Sequence, residues 1–117
     1  MTTTLTDLLE KKCLPTVAAF TPEQITAHLA LIGGWSLTDG AIMRSFDFKN
    51  YYETLAFINA IAYVIHAEDH HPELVVTYNR CIVKFNTHSV NAGKGGISEN
   101  DFICAAKVDA IFQQSFA

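Results

Sequence analysis

The sequence predicts an α+β fold: a four-stranded antiparallel sheet with three helices packed on one face, in the order αββαββα. Two pairs of short segments alternate apolar and polar residues on either side of a turn, as β-hairpins do. Three other segments carry apolar residues at helical spacing. At 117 residues, half of them hydrophobic, the chain is long enough to bury one core and is expected to form one domain.

The first 20 residues predict an arm rather than part of the domain. Residues 1–20 hold scattered apolar side chains and Pro15 without sustained helical spacing. We therefore expect a lightly anchored segment with a short helical turn over 5–12. The single domain is expected to cover 21–117.

The first helix of the domain is predicted to begin at Thr21. Thr is a favoured N-cap, Pro22 suits the first helical position, and Gln24 can complete a capping box. Apolar residues follow at spacings of four and three, and the glycine pair 33–34 predicts the end of the helix.

The first hairpin is predicted from the dipeptide Asp39-Gly40, which favours a type I′ turn. The flanking strands, 35–38 and 41–48, alternate apolar and polar residues. Arg44 interrupts the apolar face of the second strand. We therefore expect it near an edge of the sheet, with its charge in water.

The remaining elements follow the same logic. The longest helix is predicted over about 50–69, and its two apolar stripes predict burial on more than one side. The second hairpin joins strands 74–78 and 81–87 through a tight turn at Asn79-Arg80. The last helix is predicted to begin at Ser98, which is followed three residues later by an acid.

Composition excludes several classes of function. The net charge of −4, with no run of basic residues, speaks against direct binding to nucleic acid. We find no apolar stretch of membrane-spanning length and no signal peptide, so we expect no membrane partner and a cytoplasmic location. The three cysteines form no CxxC pair and predict reduced thiols.

The histidines form the densest cluster of chemically active residues. Three of the five lie between His66 and His71, and His88 follows the second hairpin. The hairpin should carry His88 back towards His70 and His71, and Asp101 at the head of the last helix can reach the same place. Imidazoles exchange protons near neutral pH, so this arrangement predicts an acid/base site.

The same histidines are also compatible with a surface role or with a metal site. Each one can be an ordinary surface or helix-end residue. His66 and His70 have the i, i+4 spacing of zinc ligands, with His88 as a third, but no Glu follows His66 as in HExxH and no cysteine stands at ligand spacing. The glycine-rich stretch 93–96 lacks the order of a P-loop. We therefore predict no metal site.

The pattern of residues resembles the signature of the pterin-4a-carbinolamine dehydratase family. The resemblance covers about residues 21–112 and rests on several separated residues at matching intervals. These are His66-x3-His70-His71-Pro72, Tyr78, His88 and Asp101, supported by Gly34-Trp35, Phe48-Lys49-Asn50-Tyr51, Thr87-His88 and Ser98-Glu99-Asn100-Asp101.

The resemblance implies both a fold and an activity. It implies a homodimer or homotetramer that takes a small reduced pterin and uses no cofactor. The implied reaction is dehydration of 4a-hydroxytetrahydropterin to quinonoid dihydropterin, in tetrahydrobiopterin recycling. The alternative is a non-catalytic oligomeric binding module or transcriptional coactivator of the same fold.

The resemblance also implies roles for individual residues. His70 and His88 correspond to the acid/base pair, His71 to a substrate-holding histidine, and Asp101 to a carboxylate that orients His88. Position 66 is His where many members carry Glu, so a carboxylate contact made there would move to Glu68. Four further residues are implied to shape the pocket: Pro72, Thr87, Ser89 and Val90.

Overall fold

The structure is a computed structural model, and it describes residues 3–117. Its helices and strands are, in chain order, α1 (Leu5–Glu10), α2 (Pro22–Leu29), β1 (Ser36–Thr38), β2 (Ala41–Asp47), α3 (Tyr51–Glu68), β3 (Glu73–Val76), β4 (Arg80–Phe85) and α4 (Glu99–Ser115). The strands form one antiparallel sheet in the order β1-β2-β4-β3. The predicted α+β class is confirmed. No helix within residues 3–117 is long and apolar enough to cross a membrane.

The core lies between one face of the sheet and the helices. Alternate residues of β2 and β4 are buried, as their apolar/polar alternation predicts. The ring of Phe46 in β2 lies 4.8 Å from Phe57 of α3 and 5.0 Å from Phe112 of α4, measured between centroids. The two long helices therefore cover the same face of the sheet.

Local sequence signals explain where several elements begin. The Thr21 hydroxyl accepts from the Gln24 N–H at 3.2 Å, and the Gln24 side chain accepts from the Thr21 N–H at 2.8 Å, which completes the predicted capping box. Asp39 and Gly40 both have positive φ, 51° and 78°, as a type I′ turn requires.

The second hairpin turns one residue earlier than predicted. Its central residues are Tyr78-Asn79, and Arg80 already belongs to β4. Arg80 pairs with Asp47 of β2, and its Nε lies 3.0 Å from the Asp47 carboxylate. The Thr77 N–H donates to the Arg80 carbonyl at 2.9 Å and closes the turn around Tyr78-Asn79. The turn predicted at Asn79-Arg80 is therefore wrong by one residue.

The expectation for Arg44 is also wrong. It lies in β2, which is flanked by β1 and β4, and not at an edge. Its guanidinium lies 4.5 Å from the ring centre of Phe46 and bonds to Asp109 of α4 at 2.8 Å. Trp35 Nε1 donates to both Asp109 oxygens at 2.9 Å. The Asp109 carboxylate, and not water, therefore compensates the charge of Arg44.

The arm packs against the domain more closely than its sequence predicts. The expected helical turn is α1, and its Leu8 is fully buried. Lys107 of α4 donates to the Lys11 carbonyl at 2.7 Å, and the Cys13 sulfur lies 3.5 Å from that of Cys104. Both contacts join the arm to α4.

Candidate active site

The end of α3 points its two adjacent histidines in different directions. Asp69 caps the helix in the left-handed conformation, with φ 50° and ψ 44°. The chain then turns, and Pro72 prevents the helix from continuing. The His70 side chain is 12% exposed, whereas that of His71 is 71% exposed and lies 3.4 Å from the Asp69 carboxylate. One imidazole is therefore held inside and the other faces solvent.

Asp101 is the centre of a buried hydrogen-bond network. Its Oδ1 lies 2.6 Å from His70 Nε2. Its Oδ2 accepts from the Thr87 hydroxyl at 2.8 Å and from the Ser98 N–H at 2.9 Å. Asp101 is fully buried, so these contacts take the place of water. Because a carboxylate can only accept, the His70 ring donates from Nε2, and in the neutral ring the lone pair is then on Nδ1.

Secondary structure fixes the position of this carboxylate. Asp101 is the third residue of α4 and completes a capping box with Ser98. Thr87, just beyond β4, is held by two backbone hydrogen bonds with Gly96, of 2.8 and 3.1 Å. The same bonds that start α4 thus aim one carboxylate oxygen at His70.

The partner of Asp101 differs from the expected one. The family resemblance implied that Asp101 orients His88, but the carboxylate bonds to His70. The first turn of α4 lies beside the end of α3, where His70 is located. His88 lies beyond the end of β4 and is exposed. Helix-to-helix packing, and not the hairpin, therefore decides which ring the carboxylate meets.

His70, His71 and His88 line one cleft of about 280 Å³. The hairpin explains this, because Glu73 at the start of β3 pairs with Lys84 near the end of β4. The other residues lining this cleft include Leu14, Pro15, Val17, Thr87, Ser89 and Asn100.

A second cleft of about 440 Å³ adjoins the same histidines. His71 and His88 line both clefts, and Pro72 lines the second one. Its polar side chains include Lys84, on the side of β4 that faces away from the core, and Asn86, the residue that follows β4. Space for a ligand therefore lies on both sides of the two exposed imidazoles.

Besides Asp101, which reaches the cleft only through His70, several residues named from the sequence line neither cleft. Val90 is buried beneath the glycine-rich loop and lines neither cleft. His66 is exposed on α3, also outside both linings. Glu68 faces the arm, where its oxygens accept from the Cys13 N–H and the Lys107 ammonium. Within residues 3–117, no three His, Cys, Asp or Glu side chains converge as metal ligands.

Sequence reasoning missed the contribution of the arm. Leu14, Pro15 and Val17 line the cleft with the histidines, and Asn100 of α4 lies beside them. No periodicity in the first 20 residues predicts this. The structure shows the cause, because Asn100 is almost fully buried and its amide bonds to the arm, and neither fact can be read from the sequence.

The arrangement suits proton transfer. His70 stacks on Phe85 with ring centres 5.8 Å apart and planes 7° apart, and Asp101 holds its Nε2. This imidazole is fixed in orientation. His88 is exposed on the same cleft and can exchange protons with water. A fixed imidazole and an exposed one that line the same cleft can take a proton from one position of a ligand and give a proton to another.

Comparison with known proteins identifies related chains. The sequence profile of the family described as Pterin 4 alpha carbinolamine dehydratase matches residues 18–111. A Bdellovibrio bacteriovorus protein provisionally named a pterin-4-alpha-carbinolamine dehydratase is 62% identical over 112 residues, covering 96% of this chain and 93% of the relative. One from Nitrosospira multiformis with the same provisional name is 48% identical, covering 97% and 99%.

A solved structure has the same fold. It is the crystal structure of a transcriptional coactivator/pterin dehydratase from Brucella melitensis. The match has a TM-score of 0.72 and 35% sequence identity, and it covers 80% of this chain and 97% of the other.

Proposed function

Because the chain belongs to the pterin-4a-carbinolamine dehydratase family, we propose that it is a lyase that converts 4a-hydroxytetrahydropterin to quinonoid dihydropterin. This reaction returns the pterin cofactor of aromatic amino-acid hydroxylation to a form that can be reduced, as in tetrahydrobiopterin recycling. The observation that carries the proposal is the buried Asp101–His70 pair at a cleft shared with two further imidazoles.

The reaction is an elimination of water across one bond. The C4a–O bond breaks, the leaving hydroxyl takes a proton, and N5 loses its proton as a C4a–N5 double bond forms. No net oxidation or reduction takes place, so proton donors and acceptors suffice for the chemistry. Such a reaction uses one proton donor and one proton acceptor, both able to exchange protons near neutral pH.

We assign the base to His70. Its Nε2–H donates to Asp101, so Nδ1 is the nitrogen free to accept the N5 proton. Protonation makes the ring an imidazolium, and the carboxylate at 2.6 Å stabilises that charge. The buried ring stacked on Phe85 keeps its orientation throughout the reaction.

We assign the acid to His88. It is exposed at the rim of the cleft, so after giving a proton to the leaving hydroxyl it can recover one from water. His71, between the two clefts, is placed to hold the substrate, and Pro72 and Ser89 line the space on either side. Thr87 acts through Asp101, to which it donates, and Val90 shapes the loop from beneath.

We also propose that the protein forms a homodimer or homotetramer. The outer stripe of α3 exposes Tyr52, Leu55 and Tyr63, and the edge strand β3 exposes Val75 and Val76. Exposed apolar rows on a helix and on an unpaired strand edge are typical of subunit contacts. Sedimentation velocity gives the mass; a monomer at micromolar concentration would contradict this part of the proposal.

Turnover of a freshly generated 4a-hydroxypterin tests the function. The wild-type protein is expected to accelerate the absorbance change that accompanies quinonoid dihydropterin formation. His70→Ala and His88→Ala should each lose about 10²-fold or more in kcat, the usual effect of removing an acid or base. His66→Ala is the matched control, because it removes an exposed histidine outside both clefts.

The outcomes separate the enzyme from the alternative binding module. Circular dichroism should show both variants folded, since neither side chain belongs to the core cluster. Undiminished turnover in two folded variants would contradict the mechanism. A wild-type protein that binds pterin without turning it over would favour the non-catalytic binding module.

A further inference from the structure

We propose that residues 13–17 of the N-terminal arm form the apolar wall of the substrate cleft, and that Leu14 and Val17 determine pterin affinity by packing against the ring. This inference rests on the proposed dehydratase function and extends it to a segment outside the predicted domain. It also assigns Asn100 as the positioning residue that holds the wall in place.

The composition of the cleft is the first argument. Its catalytic side is polar, formed by His70, His71 and His88, whereas the arm contributes Leu14, Pro15 and Val17. A pterin is a flat bicyclic ring with polar edges and apolar faces. Sites for such ligands combine a few placed polar groups with an apolar surface that covers the ring. In this cleft the arm supplies that surface.

Asn100 fixes the arm at the position of Leu14. The Leu14 N–H donates to Asn100 Oδ1 at 3.1 Å, and Asn100 Nδ2 donates to the Leu14 carbonyl at 2.9 Å. The Asn100 side chain therefore binds both backbone groups of one residue. It is the neighbour of Asp101 in the first turn of α4. The same helical turn thus orients His70 and holds the wall at the same cleft.

Glu68 provides a second anchor, one residue earlier. Its Oε1 accepts from the Cys13 N–H at 2.8 Å, and its Oε2 accepts from Lys107 Nζ at 2.7 Å. Burial raises the pKa of this carboxyl, but the bonds from Lys107 and Cys13 outweigh that effect, and the pKa lies below its usual value. Glu68 therefore stays ionised at neutral pH and holds the arm between α3 and α4.

The anchored backbone carries a side chain that the fold itself does not bury. Leu14 is 60% exposed although its backbone is bonded on both sides. Folding gains little from this side chain, whereas a ligand in the cleft would cover it. An apolar side chain held in place but left uncovered at a cleft is positioned for contact with a ligand.

The test compares two leucines of the arm. Leu14→Ala removes a side chain of the wall, and Leu9→Ala, in α1, removes a partly exposed leucine that does not line the cleft. Both steady-state turnover and binding of oxidised biopterin, followed by quenching of its own fluorescence, are measured. Leu14→Ala should raise KM and weaken biopterin binding about 5- to 20-fold, the effect of losing one apolar contact. Leu9→Ala should change neither by more than about twofold.

The effect on kcat distinguishes a wall from a catalytic group. Contact with the ring face is the same in the substrate and in the transition state, so Leu14→Ala should leave kcat within about twofold. Asn100→Ala should raise KM in the same way, because it releases the Leu14 backbone, and should leave the pH profile of kcat unchanged, because the Asp101–His70 bond remains. Leu14→Met, which keeps apolar length, should restore most of the affinity.

The possible results separate this inference from the proposed function. If the wild-type protein turns over the 4a-hydroxypterin and Leu14→Ala matches Leu9→Ala in KM and biopterin affinity, the wall is disproved and the dehydratase stands. If the wild-type protein binds biopterin without turnover, the function fails, and the affinity of Leu14→Ala still decides on the wall. Should Asn100→Ala not fold, the two leucine variants decide alone.

Discussion

Two carboxylates on α4, the fully buried Asp101 and the half-buried Asp109, have basic partners that differ in whether they titrate near neutral pH. Asp101 and Asp109 lie about two helical turns apart and each bonds to a basic side chain, at 2.6 Å to His70 and at 2.8 Å to Arg44. Arginine keeps its charge at every physiological pH, whereas histidine gains and loses a proton near neutrality. The same local motif therefore ties the sheet to a helix in one place and can move a proton in the other.

The surroundings of the two carboxylates agree with this division. Asp109 meets Arg44 and Trp35 beneath the sheet, where every partner has a fixed charge state. Asp101 meets Thr87 and His70 at the wall of the cleft, where the partner ring has one nitrogen left for a ligand. An acid–base pair packed between elements thus indicates function only when one member can titrate and can reach a ligand.

The largest effect is expected from Asp101→Asn. The amide can still accept at one oxygen from the Ser98 N–H, but its NH₂ group now faces His70 Nε2 and forces the ring into the other tautomer. His70 then has no lone pair on the nitrogen that serves as base. We expect kcat to fall about 10²- to 10⁴-fold. A folded variant with turnover near that of the wild type would show that the tautomer of His70 is irrelevant.

Arg44→Met should produce the converse result, a loss of stability with normal turnover. Met keeps an apolar stem against Phe46 but leaves the half-buried Asp109 without its cation. We expect the free energy of unfolding to drop by about 1–3 kcal/mol at neutral pH, with kcat within about twofold of the wild type. Urea denaturation measures the first quantity and the turnover assay the second.

The stability lost in Arg44→Met should depend on pH, in a direction set by the pKa of Asp109. Burial raises the pKa of the Asp109 carboxyl, and the bonds from Trp35 and Arg44 lower it only in part. A folded-state pKa above the unfolded value means that the ionised carboxyl costs stability above the folded pKa, and that this cost disappears as the pH falls through it. The loss of stability in Arg44→Met should therefore be smaller in mild acid than at neutral pH.

Arg80→Met is the control, because it breaks an exposed pair with Asp47. It should change the free energy of unfolding by about 0.5 kcal/mol or less, both at neutral pH and in mild acid.

The parts of the fold that sequence predicts are those decided by neighbours in the chain. The Asp39-Gly40 turn and the capping boxes at Thr21 and Ser98 depend on residues within a few positions. That His88 and His70 line one cleft follows from one hairpin, because antiparallel pairing returns the chain to the point where the hairpin began. Local chemistry and one strand pairing therefore suffice to bring the imidazoles together.

The parts that sequence does not predict depend on packing between distant elements. Asp101 meets His70 and not His88 because α4 packs beside the end of α3. Arg44 is satisfied away from the sheet edge because Asp109, from an element much later in the chain, reaches the same depth. Leu14 enters the cleft through a pair of side-chain hydrogen bonds with Asn100 that leave no periodic trace.

The smallest effect is expected from Thr87→Val, which tests how much support the Asp101 carboxylate needs. The Thr87 hydroxyl donates to Oδ2 at 2.8 Å, but the Ser98 N–H bonds the same oxygen and remains in the variant. The variant also removes the 2.7 Å hydrogen bond between the Thr87 and Ser98 hydroxyls, but only the first bond acts on the carboxylate. Losing that bond is worth about 0.5–1.5 kcal/mol, so kcat should fall about 2- to 10-fold. Thr77→Val, in the exposed turn between β3 and β4, is the matched control. If Thr87→Val were as damaging as Asp101→Asn, the contact that matters would be the one on Oδ2, and the carboxylate would act by holding Thr87 and the start of α4 in place instead of by orienting His70.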